Sequence, residues 1–402
     1  MSEVNIDVIE PWIKELWDRG ASDLLITAGS RPLIRVDGEL TPIQRADALD
    51  GDAIAALVAH ILPEEAHQEF KRHHEVDFSF SWGDVTRFRG NAFTQRGTPS
   101  IALRVIPFYI PSFEELGLPP VLEWFCHKAQ GLVLFTGPTG SGKSTTLASL
   151  VDLVNQRRQA HIITIEDPVE FVHTSKRALI NQREVGDDTD GFNIALTQAL
   201  RQDPDVVLVG EMRDLETVST AISAAETGHL VFATLHTQDS GQTVDRIVDV
   251  FPAEQQSQVR TQLANTLQGI VAQQLVPTAD GQRRVPATEV LIATPALRAL
   301  IRDGKVHQIA NTISSGRKHG MQTLDDSLAQ LVRSGDITAA LFTAHLHETG
   351  AAAEALGRTA SSVFAVLKET LDSGSKERSA RVTGSDACPS MVTPKPMHRS
   401  KN

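Results

Sequence analysis

The stretch Leu132-Val-Leu-Phe-Thr-Gly-Pro-Thr-Gly-Ser-Gly-Lys-Ser-Thr145 decides the fold. Leu132 to Thr136 is a short apolar run of the kind that forms a buried parallel strand. The next nine residues, Gly137, Pro138, Thr139, Gly140, Ser141, Gly142, Lys143, Ser144 and Thr145, fit the phosphate-loop pattern G-x-x-x-x-G-K-[ST] in full. The three glycines let the backbone turn its N–H groups inward around a di- or triphosphate. Lys143 sets a positive charge at the outer phosphates, and Ser144 offers a hydroxyl to Mg²⁺. A helix predicted from Thr145 to Asn155 then points its N-terminus at the anion.

Composition narrows what such a nucleotide site could drive. The chain has 402 residues, 41% of them hydrophobic and 22% charged, enough for two globular domains and a tail. A net charge of −12 argues against a dominant nucleic-acid grip. The two cysteines, Cys126 and Cys388, exclude a disulfide framework and a four-cysteine zinc site, and they point to a reducing cytoplasm. No apolar run reaches the roughly 18 residues of a spanning helix. The acidic N-terminus lacks a signal-peptide layout, so any membrane attachment is expected to come through a partner.

Outward from the loop, residues 1–106 read as a small α+β domain. A helix is predicted from Ile6 to Arg19, a strand from Ser22 to Thr27, and a hairpin from Pro32 to Leu40 turning at Asp37-Gly38. Helices at Asp52 to Leu62 and Pro63 to Lys71 follow, then strands at Val76 to Trp82, Phe88 to Gln95 and Ser100 to Ile106. Residues 107–120 hold prolines at 107, 111, 119 and 120 and read as a linker. Residues 121–345 alternate strands (Leu132 to Thr136, His161 to Glu166, Val206 to Gly210, Leu230 to Leu235) with helices, which predicts a mostly parallel sheet. Beyond Phe251 the pattern reads as helical: Glu254 to Leu267 continuing to Leu275, then Pro295 to Asp303, Val306 to Ser314 and Thr323 to Ser334. Residues 346–402 form an extension, poor in large apolar residues from about 373 and expected to be disordered there.

Four further stretches supply chemistry that suits a phosphate loop. Ile163-Thr-Ile-Glu-Asp-Pro-Val-Glu170 delivers Glu166, Asp167 and Glu170 at the C-terminal end of a strand, where carboxylates can hold Mg²⁺ waters or orient an attacking water. Val206 to Gly210 is a buried strand ending at Glu211, the position of the acidic residue after a core strand in phosphate-loop enzymes. His229 and His236 flank an apolar strand seven residues apart, and this odd spacing sends them to opposite faces. They read either as satisfied structural histidines or as sensors of phosphate or of a neighbouring carboxylate. Arg87, Arg89, Arg96 and Arg104 lie on or between two strands of the first domain, as solvated surface or as donors that complete a nucleotide site.

Taken together, these motifs resemble the secretion-ATPase superfamily, and most closely the PilT-type ATPases that retract type IV pili. The likeness runs from about Ile6 to Ile337 and includes Arg35-Val-Asp-Gly-Glu39, the phosphate loop, Ile165-Glu-Asp-Pro-Val-Glu170, Gly210-Glu-Met-Arg-Asp214, the stretch through His229 and His236, and Gly320-Met-Gln-Thr-Leu-Asp325. It implies a PAS-like N-terminal domain, a RecA-like phosphate-loop ATPase domain and a homohexameric ring. The ring would be cytoplasmic, peripheral to the inner face of the membrane and coupled to an inner-membrane pilus platform protein, with ATP and Mg²⁺ as ligands.

Carried over, the family's roles put Lys143 and Ser144 on phosphates and Mg²⁺, with Glu170 and Glu211 polarising water and supporting the metal. The strand-end reading adds Glu166 and Asp167 to the residues expected to support Mg²⁺ through nucleotide and water. Glu211, then Glu170, is the expected water-polarising carboxylate. His229 and His236 would link the site to the ring, and Arg89 and Arg104 would be presented to nucleotide. One position departs from the family pattern: in Ala296-Leu-Arg-Ala-Leu-Ile-Arg-Asp303, Ala299 stands where retraction members carry Asn. Two other readings stay open. One is an assembly or secretion ATPase of the same superfamily, which usually has a longer N-terminal region and a four-cysteine zinc module. The other is a nucleotide-binding regulatory subunit without turnover.

Overall fold

A computed structural model describes residues 6–36, 38–83, 85–106 and 109–348. The expectations for Asp37, for the start of the linker and for the extension, including disorder from 373, lie outside the described residues. Two sheets organise the chain. The first comprises β1 (Asp23–Thr27), β2 (Leu33–Val36), β3 (Glu39–Pro42), β4 (Glu75–Trp82), β5 (Thr86–Gln95) and β6 (Thr98–Ile106), in the order β3-β2-β1-β6-β5-β4. Every neighbouring pair is antiparallel. Along β5 the burial alternates: Phe88 and Ala92 are buried, whereas Arg87, Arg89 and Asn91 are partly exposed. The covered face packs with α1 (Glu10–Asp18), α2 (Gly51–Ile61) and α3 (Glu64–His73) through Ile13, Leu16, Ile54, Leu57 and Phe70. Asp50 starts α2 by accepting the Ala53 N–H at 2.8 Å, an N-cap that satisfies one of the helix's free donors.

The second sheet comprises β7 (Gly131–Thr136), β8 (His161–Glu166), β9 (Leu179–Glu184), β10 (Val206–Val209), β11 (Leu230–Leu235), β12 (Leu267–Pro277) and β13 (Arg284–Ile292), in the order β13-β12-β7-β11-β10-β8-β9. The strands from β12 to β9 in that order pair in parallel. Every residue of β7 and β11 is buried, as expected of a parallel sheet covered on both faces. The covering helices are α4 (Glu123–Cys126), α5 (Lys143–Arg157), α6 (Phe192–Ala199), α7 (Leu215–Glu226), α8 (Ser240–Asp249), α9 (Ala253–Thr266), α10 (Pro295–Arg302) and α11 (Ile309–Ser315). Phe113 and Leu118, from the Pro-rich stretch read as a linker, are buried in this second core. That stretch is therefore anchored over its second half.

Three strands correct the reading by pattern. The predicted helix beyond Phe251 ends at Thr266; Leu267 leaves helical geometry with φ −58° and ψ 128°, and β12 begins there. The run Gly269-Ile-Val-Ala272 is buried on both sides beside β7, and this packing overrides its ambiguous periodicity. β13 follows as the edge strand, and β9, at the other edge, was likewise not foreseen. Cys126 is buried, and burial pushes its thiol up to about 12, so it behaves as a small apolar residue.

The described residues divide into two compact units. One lies within 1–275 and 288–322 and holds both cores described above. The other lies within 276–287 and from 323 onward, and includes α12 (Leu324–Ser334) and α13 (Ala339–Glu348). Its own small core gathers Val276, Ala287, Leu328, Val332, Ile337 and Phe342. A capping box between Thr323 and Asp326 begins α12, and left-handed Gly335 ends it.

Gly269 tests the placement of β12. A Cβ there would stand 2.6 Å from the Leu291 carbonyl oxygen and against the Phe125 ring, both held by the sheet core. Gly269→Ala should lower stability by about 1–3 kcal/mol by overpacking, read as a fall in the chemical or thermal unfolding midpoint. An unchanged midpoint would contradict this packing.

Candidate active site

In a parallel sheet the ligand edge is the one bearing the strands' C-terminal ends. Four segments leave that edge together: the phosphate loop after β7, the Asp167–Glu170 loop after β8, Glu211 after β10 and His236 after β11. Between β7 and α5, Pro138, Thr139 and Gly140 form the exposed tip of the phosphate loop. Ser141 and Lys143 are buried, and Ser144 and Thr145 lie half-buried in the first turn of α5, which begins at Lys143, two residues before the predicted start.

Two glycines are required by close approach. A Cβ on Gly137 (φ +143°) would overlap the Gln273 carbonyl oxygen, and one on Gly142 (φ +83°) would stand 2.9 Å from Gln273 Nε2. Gln273, on β12, was missed by sequence reasoning. Its Nε2 donates to the Ser141 carbonyl at 2.8 Å, and its Oε1 accepts from the Thr146 hydroxyl at 2.9 Å. It therefore ties the loop to the first turn of α5 from the neighbouring strand. The signal was present, since a glutamine inside an apolar strand must find partners. A hydroxyl chain braces the other side: Thr136 Oγ1 lies 2.6 Å from Thr237 Oγ1, which lies 2.7 Å from Thr243 Oγ1.

Lys143 Nζ donates to the Gly137 carbonyl at 2.7 Å and the Pro138 carbonyl at 3.1 Å. Burial draws its pKa below the usual lysine range, while the charges of Glu211 and Glu170 act the other way. Glu211 Oε1 lies 2.5 Å from Arg213 Nε and 3.3 Å from His236 Nε2. Burial alone would raise the Glu211 pKa, but the Arg213 hydrogen bond and charge, with the interaction of the neighbouring His236, outweigh it and hold the carboxyl below its usual range. Glu211 therefore stays anionic through neutral pH, and this cluster weakens only as pH falls through that depressed value. Glu170 is exposed on the same edge. The chemistry of this donor set fits a phosphate chain with its Mg²⁺: a lysine, inward-turning glycine backbone, the hydroxyl of Ser144 and two nearby carboxylates. Ser141 Oγ is also buried with no hydrogen-bond partner.

Other expected residues are placed differently. The Glu166 carboxylate accepts from the Thr164 hydroxyl at 2.6 Å and from Gln182 Nε2 at 3.1 Å, and burial raises its pKa. It braces β8 against β9, and a carboxyl so desolvated and engaged is a poor metal support. Asp167 is exposed and lines a cavity of about 260 Å³ together with Arg89 and Glu184. His229 precedes β11, at the end of the sheet away from the phosphate loop. Its Nδ1 lies 3.0 Å from the Ala224 carbonyl oxygen, and its own carbonyl accepts from Gly131 at the start of β7. The six residues of β11 separate it from His236 by about 20 Å. Arg89 and Arg104 stand directly opposite each other on β5 and β6. Arg89 lies 3.5 Å from Asp77, and Arg104 pairs with Asp23 at 2.9 Å. Arg298, in the stretch that departs at Ala299, caps α9 by donating to the carbonyls of Ala264 and Asn265.

A phosphate loop on a parallel sheet, faced by an anionic carboxylate after a core strand, defines a phosphate-loop nucleoside triphosphatase. The chain belongs to the type II/IV secretion system protein family, which it matches over residues 2–370, and within it to the PilT-type ATPases. It is 50% identical over 320 residues to the type IV pilus retractation ATPase PilT of Pseudomonas aeruginosa, covering 80% of this chain and 92% of that one. It is 48% identical over 304 residues to a twitching motility protein of Neisseria gonorrhoeae, covering 76% and 81% respectively. Its fold matches the crystal structure of the pilus retraction motor PilT with bound ADP at a TM-score of 0.78 and 48% identity, over 82% of this chain and 94% of that one.

Gln273→Leu removes both bonds that tie the loop, leaving the Ser141 carbonyl and the Thr146 hydroxyl without those partners. Each loss costs about 1–3 kcal/mol where the group stays buried, so nucleotide affinity should fall about tenfold or more. Titration with a fluorescent nucleotide measures it; unchanged affinity would remove Gln273 from the site.

Proposed function

We propose that this chain is an ATP-driven motor that powers type IV pilus retraction, working as a homohexameric ring. The ring would sit on the cytoplasmic face of the inner membrane and engage a membrane-embedded pilus platform protein. The observation that carries this reading is a complete phosphate-loop site in a chain that matches a pilus retractation ATPase over 92% of that protein's length. Among the described residues no helix is long and apolar enough to cross a membrane.

In this reading Lys143, the loop N–H groups and the N-terminus of α5 bind the phosphates of ATP, with Ser144 holding Mg²⁺. Bound Mg²⁺ supplies charge neutralisation on the phosphates. Glu170 polarises the attacking water. It takes precedence over Glu211 because Glu211 is already engaged by Arg213 and His236, with a depressed pKa that makes it a weak base. Glu211 instead orients the water ligands of the metal. Arg89 lines the cavity that Asp167 also lines.

Lys143→Ala should abolish turnover by at least about a hundredfold while leaving the fold intact, since it removes the charge that faces the outer phosphates. In cells, deletion of the gene should leave pili on the surface but stop surface motility, and the Lys143→Ala variant should not restore it. Loss of pili on deletion would favour an assembly role instead. Purified protein with no Mg²⁺-dependent phosphate release would favour a regulatory subunit.

A further inference from the structure

The cavity of about 260 Å³ beside the Asp167–Glu170 loop is walled by β4 and β5 on one side and by the end of β9 on the other. At its edge one carboxylate oxygen of Glu184, on β9, meets both β5 and the Asp167–Glu170 loop. Glu184 Oε2 accepts the Val169 N–H at 3.2 Å and lies 3.7 Å from Arg87 Nη2. Val169 is buried, and the next residue is Glu170.

Both ends of this link are fixed. Arg87 Nη2 donates to Ser79 Oγ at 2.6 Å, and the Ser79 hydroxyl donates to Asp187 Oδ2 at 3.4 Å. Glu184 closes β9 in register with Glu166 of β8, and its own N–H donates to Asp188 Oδ2 at 2.9 Å. The side chains of Arg87 and Glu184 are only 24% and 11% exposed, so solvent screens their attraction less than that of a surface pair. Asp187 and Arg89 are the other charges that act on Glu184, with opposite signs.

We infer that Glu184 is a positioning residue for hydrolysis, coupling the location of β5, through Arg87, to the backbone that carries Glu170. When Arg87 is in place, its charge holds the Glu184 carboxylate where the oxygen can also receive Val169. When β5 withdraws, the carboxylate is left half-buried without its cation and must seek water or another donor. The Val169 N–H then loses its acceptor, and the backbone bearing Glu170 keeps only the tether of the Glu170 N–H to the Glu166 carboxyl. A shift of the first sheet thus reaches the water-polarising group without passing through the phosphate loop. The inference rests on the proposed role of Glu170.

The two functions of Glu184 can be separated chemically. Receiving Val169 needs only an acceptor, which glutamine supplies; holding Arg87 needs the charge. Steady-state hydrolysis by the purified full-length chain, with ATP binding measured separately, reads the difference. Arg87→Ala and Glu184→Gln should each lower kcat about three- to tenfold, with the KM and Kd for ATP within about twofold. The double variant should be no slower than the slower single, and Arg87→Lys should recover much of the loss. The coupling is overturned if Glu184→Gln turns over at the wild-type rate, if losses multiply in the double variant, or if only KM moves. Should Glu184→Gln fail to fold, wild-type kcat in Arg87→Ala overturns it equally. Each of these outcomes leaves wild-type hydrolysis intact, whereas full activity in Glu170→Gln would strike the underlying role of Glu170.

Discussion

A parallel sheet buried on both faces has nowhere to put charge except at its strand ends, and the rest of this molecule follows from that. Every residue of β7 and β11 is buried. Polar side chains inside find partners: Thr136 at Thr237, Thr164 at Glu166, Thr234 at the Gly210 carbonyl, and Gln273 at the Ser141 carbonyl and the Thr146 hydroxyl. Phosphate loop, Glu170, Glu211 and His236 therefore converge on one edge because their strands run in one direction. The convergence needs no long-range steering. It is what four parallel strands with polar C-terminal exits must produce.

Within that edge the charges are set against one another. Lys143 is buried among loop carbonyls and faces two carboxylates, so its charge is desolvated yet balanced. Glu211 gathers Arg213 and His236 on one oxygen, which keeps it anionic and makes it a weak base. The exposed carboxylate of Glu170 carries no such engagement in the described geometry. Two acids on one edge are thereby given unlike environments, and unlike environments are what separate a metal-supporting acid from a water-polarising one.

The sequence was legible where burial is symmetric. Leu132 to Thr136, Val206 to Gly210 and Leu230 to Leu235 are apolar runs that admit few readings other than buried strands, and the phosphate loop needs only its spacing. It was illegible where an element's partner decides its form. Leu267 to Leu275 mixes apolar residues with glutamines, and periodicity cannot tell a buried strand from a helix there; the vacancy beside β7 does. β9 lies at the sheet edge with Asn181, Gln182, Arg183 and Glu184 in one run, a pattern closer to loop than to strand. Those polar residues escaped notice for the same reason. Gln182 braces Glu166 and Glu184 receives Val169, but both contacts join segments distant in sequence. Gln273 is a further case, a polar residue explained only by the loop it holds.

The family resemblance implies that His229 links the site to the ring and that Arg104 is presented to nucleotide, yet a single chain does not bring either to the phosphate loop. His229 lies at the far end of β11, and Arg104 is 74% exposed on the first sheet, paired with Asp23. Asp23 itself is buried, but it keeps Arg35 at 3.6 Å and the Ser22 hydroxyl at 2.7 Å as further partners, so it would not be left bare if the exposed Arg104 moved away. An arginine held loosely on an outer face can be recruited at small cost by a stronger anion, and a nucleotide phosphate is one. On the proposed ring that anion would be bound by another copy of the chain. His229 and Arg104 are then residues whose function would depend on assembly, whereas Lys143, Glu170, Glu211 and Gln273 already stand together on one strand edge.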